Sequence, residues 1–295
     1  MKKIVKKILP FFVAIFVIIC LIDLCFILPI PQTERIANKQ VGVVVTIPPQ
    51  AEFVERIGGN KVKVTIMVPP GADPHTYEPT PSQLKEVSMA KMYAKLGSGI
   101  EFELAWMDKI LSINKEMLIV DCSKGIDLIK AEDELYGVDP HIWLSPKNVK
   151  IMVENIYQGL IQIGPTDQEY YKRNKEKYLQ ELNELDNEIA QILSGKKIRK
   201  ILVYHPAWAY FCKDYGLEQM SIEKEGKEPT PQEIADLIKQ AKENNITVIF
   251  ASPEFDTKAA EVIAKEINGK VVLISPLEKN YLENMRKIAK TFTEV

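Results

Sequence analysis

The stretch Lys61-Val62-Lys63-Val64-Thr65-Ile66-Met67-Val68-Pro69-Pro70-Gly71-Ala72-Asp73-Pro74-His75-Thr76-Tyr77-Glu78-Pro79-Thr80-Pro81 decides how this chain is read. Its first eight residues alternate as a strand does and run directly into a proline-rich loop. Proline fixes its own φ and pushes the residue before it out of the helical region, so the loop is stiff and non-helical. Pro81-Ser82-Gln83 then opens a helix running to about Ala90. A strand, a stiff loop bearing a histidine and a helix together form the unit of an α/β protein. In that unit His75 lies at the carboxyl end of the strand, where such folds gather ligands.

The same alternation extends on both sides. Upstream, Val41-Gly42-Val43-Val44-Val45-Thr46-Ile47 is the β-branched run of a buried parallel strand, followed by a helix from Gln50 to Ile57. Downstream, Tyr93 to Leu96 and Met117 to Asp121 read as strands, Phe102 to Leu111 as a helix, and Ser145-Pro146 as the start of a helix reaching toward Leu160. The longest helical signal runs from Thr166 to about Leu193, with Tyr170, Tyr171, Tyr178, Leu182, Leu185, Ile189 and Leu193 on one apolar stripe. Beyond Gly195 the alternation restarts. Strands are expected at Ile198–Tyr204, Val248–Ala251 and Lys270–Ile274, and helices at Ala207–Tyr215, Gln232–Asn244 and Thr257–Ile267. The expected fold class is therefore α/β, with two lobes of mainly parallel sheet, 41–165 and 196–295, joined by one long rigid helix at 166–195.

Only three histidines occur, His75, His141 and His205, and each stands beside proline in a turn-like context: Asp73-Pro74-His75, Asp139-Pro140-His141 and Tyr204-His205-Pro206. A lone loop histidine is more often solvated than ligating, but a doublet of Asp-Pro-His plus a third His-Pro after an apolar run argues for a shared role. Three imidazoles favour zinc, copper, nickel or iron over calcium and magnesium. The metal is expected in the cleft between the lobes. Three protein ligands leave a fourth position, for which Glu254, Asp256 and Glu78 are the candidates and water the alternative. Asp73 and Asp139 are expected to accept hydrogen bonds from nearby backbone amides and shape their loops. Tyr77, Trp143, Trp208 and Tyr210 lie beside the histidine motifs, either as a cover over the metal or as ordinary packing.

The 38 Lys and Arg against 40 Asp and Glu give a net charge of −2, with no basic footprint for nucleic acid. Lys2, Lys3, Lys6 and Lys7 precede an apolar run from Ile8 to Ile30 that Asp23 alone interrupts with a charge, and this run is long enough to cross a bilayer. With the basic end held in the cytoplasm, residues from about Pro31 onward lie outside it. Residues 1–30 are read as a membrane anchor or signal segment, with an uncleaved anchor first and lipidation at Cys20 as the weaker alternative, and residues 31–40 as a tether. Cys122 and Cys212 show neither disulfide nor zinc spacing and are read as small buried hydrophobes.

The motifs Pro70-Gly71-Ala72-Asp73-Pro74-His75-Thr76-Tyr77-Glu78-Pro79-Thr80-Pro81-Ser82, Asp139-Pro140-His141-Ile142-Trp143-Leu144-Ser145-Pro146, Tyr204-His205-Pro206-Ala207-Trp208 and Glu228-Pro229-Thr230-Pro231 resemble those of the zinc and manganese solute-binding proteins of ABC importers. The resemblance runs from about Val41 to the end of the chain. It implies a monomeric binding protein that takes up a divalent metal between two lobes and passes it to a membrane permease served by a separate ATPase. It also implies that His75 and His141 are ligands, and that a histidine at 205, where several manganese-type members have glutamate, leans toward Zn²⁺ over Mn²⁺. One departure stands out: where members often have Leu-Asp-Pro-Leu, this chain reads Ile274-Ser275-Pro276-Leu277, and Ser275 is a poor zinc ligand. The histidine-rich loop of some members is absent, since Gly125 to Gly137 holds no histidine. Two other functions fit three loop histidines: a zinc hydrolase using an open His₃ site, and a binding protein for an organic metal chelate.

Overall fold

The computed structural model describes residues 40–130, 137–223, 229–255 and 257–294. The expected anchor at 1–30, most of the tether, part of the stretch from Gly125 to Gly137, Glu228 and Asp256 lie outside the described residues.

Residues 40–295 form one compact unit built on two four-stranded sheets, both parallel throughout. In the first, β1 (Val41–Val45), β2 (Val62–Ile66), β3 (Met92–Lys95) and β4 (Leu118–Asp121) lie in the order β2-β1-β3-β4. Helices α1 (Pro48–Gly58), α2 (Pro81–Met89) and α3 (Glu101–Ile113) make the crossovers. Pro48 and Pro49 sit in the first turn of α1, where a missing N–H costs nothing. At α2 the Thr80 hydroxyl accepts from the Gln83 amide while the Gln83 side chain reaches back to the Thr80 amide, a capping box. Helix α4 (Pro146–Ile163) then leads through the turn Pro165–Asp167 into α5 (Gln168–Ser194), the 27-residue linking helix.

The second sheet repeats the first in its strand order, β6-β5-β7-β8, from β5 (Lys200–Val203), β6 (Glu218–Ser221), β7 (Val248–Ala251) and β8 (Lys270–Leu273). Its helices are α6 (Ala209–Tyr215), α7 (Pro231–Glu243), α8 (Lys258–Glu266) and α9 (Tyr281–Thr291). Gly216 ends α6 in the left-handed region at φ 66°, a conformation that glycine adopts without a side-chain clash. Two elements were not foreseen, β6 and α9. β6 reads Glu-Gln-Met-Ser, without the β-branched signature, because it is an edge strand with little buried surface.

Alternation along the second sheet divides its side chains between two cores. Ile201, Val203, Val248 and Phe250 join a core shared with the first lobe and α5, while Leu202, Tyr204, Ile249 and Ala251 face a smaller core under α7 and α8. The apolar stripe of α5 is buried in the shared core at Tyr171, Tyr178, Leu182, Leu185, Ile189 and Leu193. One carboxylate ties the parts together: Glu52 of α1 accepts from the Tyr178 hydroxyl of α5 at 3.0 Å and from the Tyr281 amide of α9 at 2.6 Å. The ring of Phe53 meets that of Tyr281 edge-on, 5.1 Å between centroids. Cys122 and Cys212 are free and buried, and burial pushes both thiols well above their ordinary pKa, so they pack as hydrophobes.

Candidate metal centre

The three histidines arrive on loops at the carboxyl ends of three strands. His75 follows β2, His141 follows β4 and His205 follows β5. As expected, each aspartate of the Asp-Pro-His motifs shapes its loop. Asp73 accepts from the His75 amide at 2.9 Å, and Asp139 accepts from the His141 amide at 2.8 Å. The Asp139-Pro140-His141 loop is also held from outside, by Ser98 Oγ donating to the Pro140 carbonyl and by the Tyr210 hydroxyl donating to the Asp139 carbonyl.

The loops bring the three rings together. The His205 ring lies 5.1 Å from that of His141 and 5.2 Å from that of His75, each pair T-shaped, and the Nε2 atoms of His141 and His205 are 3.2 Å apart. A finished three-donor cage is not preassembled among the described residues. The His141–His205 pair is in place, while the His75 side chain is 30% exposed against 10% for His205.

Each imidazole has a carboxylate on its other nitrogen. Glu101 Oε1 is 3.1 Å from His75 Nδ1, Asp139 Oδ1 is 2.8 Å from His141 Nδ1, and Glu223 Oε2 is 3.2 Å from His205 Nδ1. An ionised carboxylate can only accept, so each Nδ1 is the donor and, in the neutral ring, each Nε2 presents its lone pair. Two such lone pairs facing each other at 3.2 Å repel unless a proton or a metal cation lies between them. Ligands on a tetrahedral zinc with Zn–N of about 2.0–2.1 Å stand about 3.3–3.4 Å apart, close to this separation. The donor set therefore fits a transition-metal ion. Glu101 Oε2 is buried without a hydrogen-bond partner, so the polar capacity around the site is not exhausted.

Electrostatics differ from ring to ring. Burial alone would lower the pKa of His75, but the hydrogen bond and charge of Glu101, with Asp73 and Glu223 behind it, raise it above the ordinary value. For His205 burial prevails: it lowers the pKa against the hydrogen bond of Glu223, helped by the proximity of His141 and His75.

The candidates for a fourth ligand fare unequally. Glu254 is engaged by two hydroxyls, Ser252 Oγ on Oε2 and Ser275 Oγ on Oε1, the latter at 2.6 Å. Ser275 thus serves as a donor to Glu254, and Glu78 is exposed. Of the aromatic candidates, Trp143 lies 5.2 Å from the His141 ring and donates its Nε1–H to the Pro276 carbonyl at 2.8 Å. Trp208 lines a cavity of about 10 Å³ against His205 but otherwise packs on Phe211 and Phe292. Tyr77 bonds Gln83, and Tyr210 braces the Asp139 loop. The residues that sequence reasoning missed are Glu101, Glu223 and Phe255, whose ring lies 4.8 Å from that of His205 and 5.9 Å from that of His75.

The family model described as zinc-uptake complex component A, periplasmic (ZnuA) matches residues 43–295. The chain belongs to that family. Among ZnuA-type relatives, the high-affinity zinc uptake system protein ZnuA of Bacillus subtilis is 29% identical over 255 residues, covering 82% of this chain and 80% of its own. A crystal structure of ZnuA superposes with a TM-score of 0.83 at 42% identity, covering 87% of this chain and 99% of that one. A zinc-bound ZnuA deletion mutant gives 0.82 at 42% identity, covering 86% and 97%. ZnuA-family chains are metal-binding components of uptake systems, and the family is extracytoplasmic.

Proposed function

We propose that this chain captures a divalent transition metal, zinc ahead of manganese, on His75, His141 and His205, and delivers it to the permease of an ABC importer. The observation that carries the reading is the 3.2 Å approach of two Nε2 lone pairs, both oriented by carboxylates on Nδ1. That arrangement is costly when empty and favourable around a cation. Imidazole donors favour zinc over manganese, for which oxygen ligands are better suited. The zinc named for the Bacillus subtilis relative and for the zinc-bound ZnuA structure supports the same choice.

The chain works outside the cytoplasmic membrane as a monomer, held by its N-terminal segment or released after cleavage of that segment, and it performs no catalysis. A hydrolase reading has less support, because Glu101, Asp139 and Glu223 each hold an imidazole and so are not placed as free general bases. A chelate reading has less support, because three imidazole rings drawn to one point suit a bare ion and have no evident purpose toward an organic ligand. Elemental analysis of protein purified without added metal, repeated on His75→Ala and His205→Ala, tests the proposal. Stoichiometric zinc in the wild type and its loss in the variants is expected. Equal metal content in all three would refute histidine ligation.

A further inference from the structure

The family resemblance leaves Phe255 without a role, yet it is the residue whose ring packs against imidazoles from both lobes, His205 at 4.8 Å and His75 at 5.9 Å. It stands on the loop after β7, and that loop is unusually well held. The Phe255 amide donates to the Ser252 carbonyl at 3.2 Å, and the neighbouring Glu254 carboxylate is gripped by the Ser252 and Ser275 hydroxyls. Ser275 belongs to a strap that reaches the other lobe one residue later, where the Pro276 carbonyl accepts from Trp143 Nε1 beside His141. Phe255 is thus positioned by a chain of contacts that begins at one ligand and ends at another.

We propose that Phe255 is the retention residue of this metal site: clamped through Glu254 by Ser252 and Ser275, its ring shields the coordination position that three imidazoles leave open. The inference rests on the three-histidine reading above. A tetrahedral ion on three nitrogens has one face without a protein donor. Metal leaves such a site when water or an incoming ligand reaches that face, and the apolar shell around a site sets that access. Both carboxylate oxygens of Glu254 are taken by the Ser252 and Ser275 hydroxyls, and the group that borders two of the three imidazoles on this side is the Phe255 hydrocarbon ring. This makes retention kinetic: the ring slows departure and adds little to the bond energies.

The test uses full-length wild type, Phe255→Ala, Phe255→Leu and Ser275→Ala. Each is loaded with zinc and mixed in stopped flow with an excess of a chromogenic chelator. Release is expected to be about tenfold faster in Phe255→Ala, with Phe255→Leu and Ser275→Ala in between, and association to accelerate by a similar factor so that Kd is nearly unchanged. The same proteins loaded with Co²⁺ report the open position directly. Azide should alter the visible absorption of Phe255→Ala and leave that of the wild type unchanged. Unchanged release in Phe255→Ala overturns the inference, as does an azide response equal in wild type and variant. If the wild type takes up no metal, the functional reading fails with it. Metal uptake with release indifferent to Phe255 sinks this inference alone.

Discussion

The two lobes share one strand order and use it differently. In the first, both histidines hang from the outermost strands, β2 and β4, so their loops stand at the rim of the sheet. In the second, His205 and Phe255 follow β5 and β7, the two central strands. Rim position alone does not decide exposure: the His75 side chain is three times as exposed as that of His205, whereas His141, whose loop is held by Ser98 and Tyr210, is as covered as His205. Exposure lets Glu101 prevail and raise the His75 pKa, whereas burial prevails at His205 and lowers it. The candidate site thus joins a covered pair, His141 and His205, one from each lobe, to a more open, proton-accepting His75.

Breaking either side of this comparison should have graded effects. The largest is loss of a ligand: His205→Ala should weaken zinc binding by more than about 100-fold, since outer carboxylate partners alone are worth about 10–100-fold. His75→Ala should cost less than His205→Ala if the preset pair carries most of the affinity. Competition titration against a chelator of known affinity ranks them, and the opposite order would undo the contrast. Next come the carboxylates. Glu223→Gln and Glu101→Gln should each weaken zinc by about 10-fold or more, read in the same titration.

The pH response separates the lobes. Zinc needs neutral imidazole, so protons compete at His75 from above its ordinary value of about 6.5 and at His205 only below it. Affinity should therefore begin to fall above pH 6.5 as pH is lowered, and fall more steeply once His205 titrates. Glu101→Gln removes what raises the His75 pKa and should move the onset to lower pH. Calorimetric titration from about pH 5 to 8 decides this, and a flat profile would count against histidine ligation. The smallest effect is structural. Trp143→Phe strands the buried Pro276 carbonyl and should cost about 1–3 kcal/mol of stability in metal-free thermal or denaturant unfolding.

Much of this was legible in the residues. The strand before His75 and the stripe from Tyr171 to Leu193 are dictated by periodicity, and the burial of the stripe follows it. The histidines declared themselves through the prolines beside them. Their partners did not, for a physical reason: hydrogen bonds to Nδ1 come from other elements, at no fixed spacing. Glu101 opens α3, where an acidic residue is already explained by the helix dipole. Glu223 follows β6, and without that edge strand in the reading nothing placed it near His205. Phe255 carried no signal beyond lying in a loop after a strand. Helix α9 was overlooked because the reading stopped at β8, although Tyr281, Met285, Ile288 and Ala289 repeat at helical spacing.

The bonding of Glu52 to both Tyr178 and Tyr281 has a consequence for the transport cycle. A carboxylate shared by one lobe, the spine and the other lobe opposes any jaw-like swing, so loading should leave the radius of gyration unchanged and the scattering curves superposable. On the proposed delivery role, a partner taking metal from this chain would read the loops around the ion and not a changed gape, and empty and loaded chains would compete for one docking face.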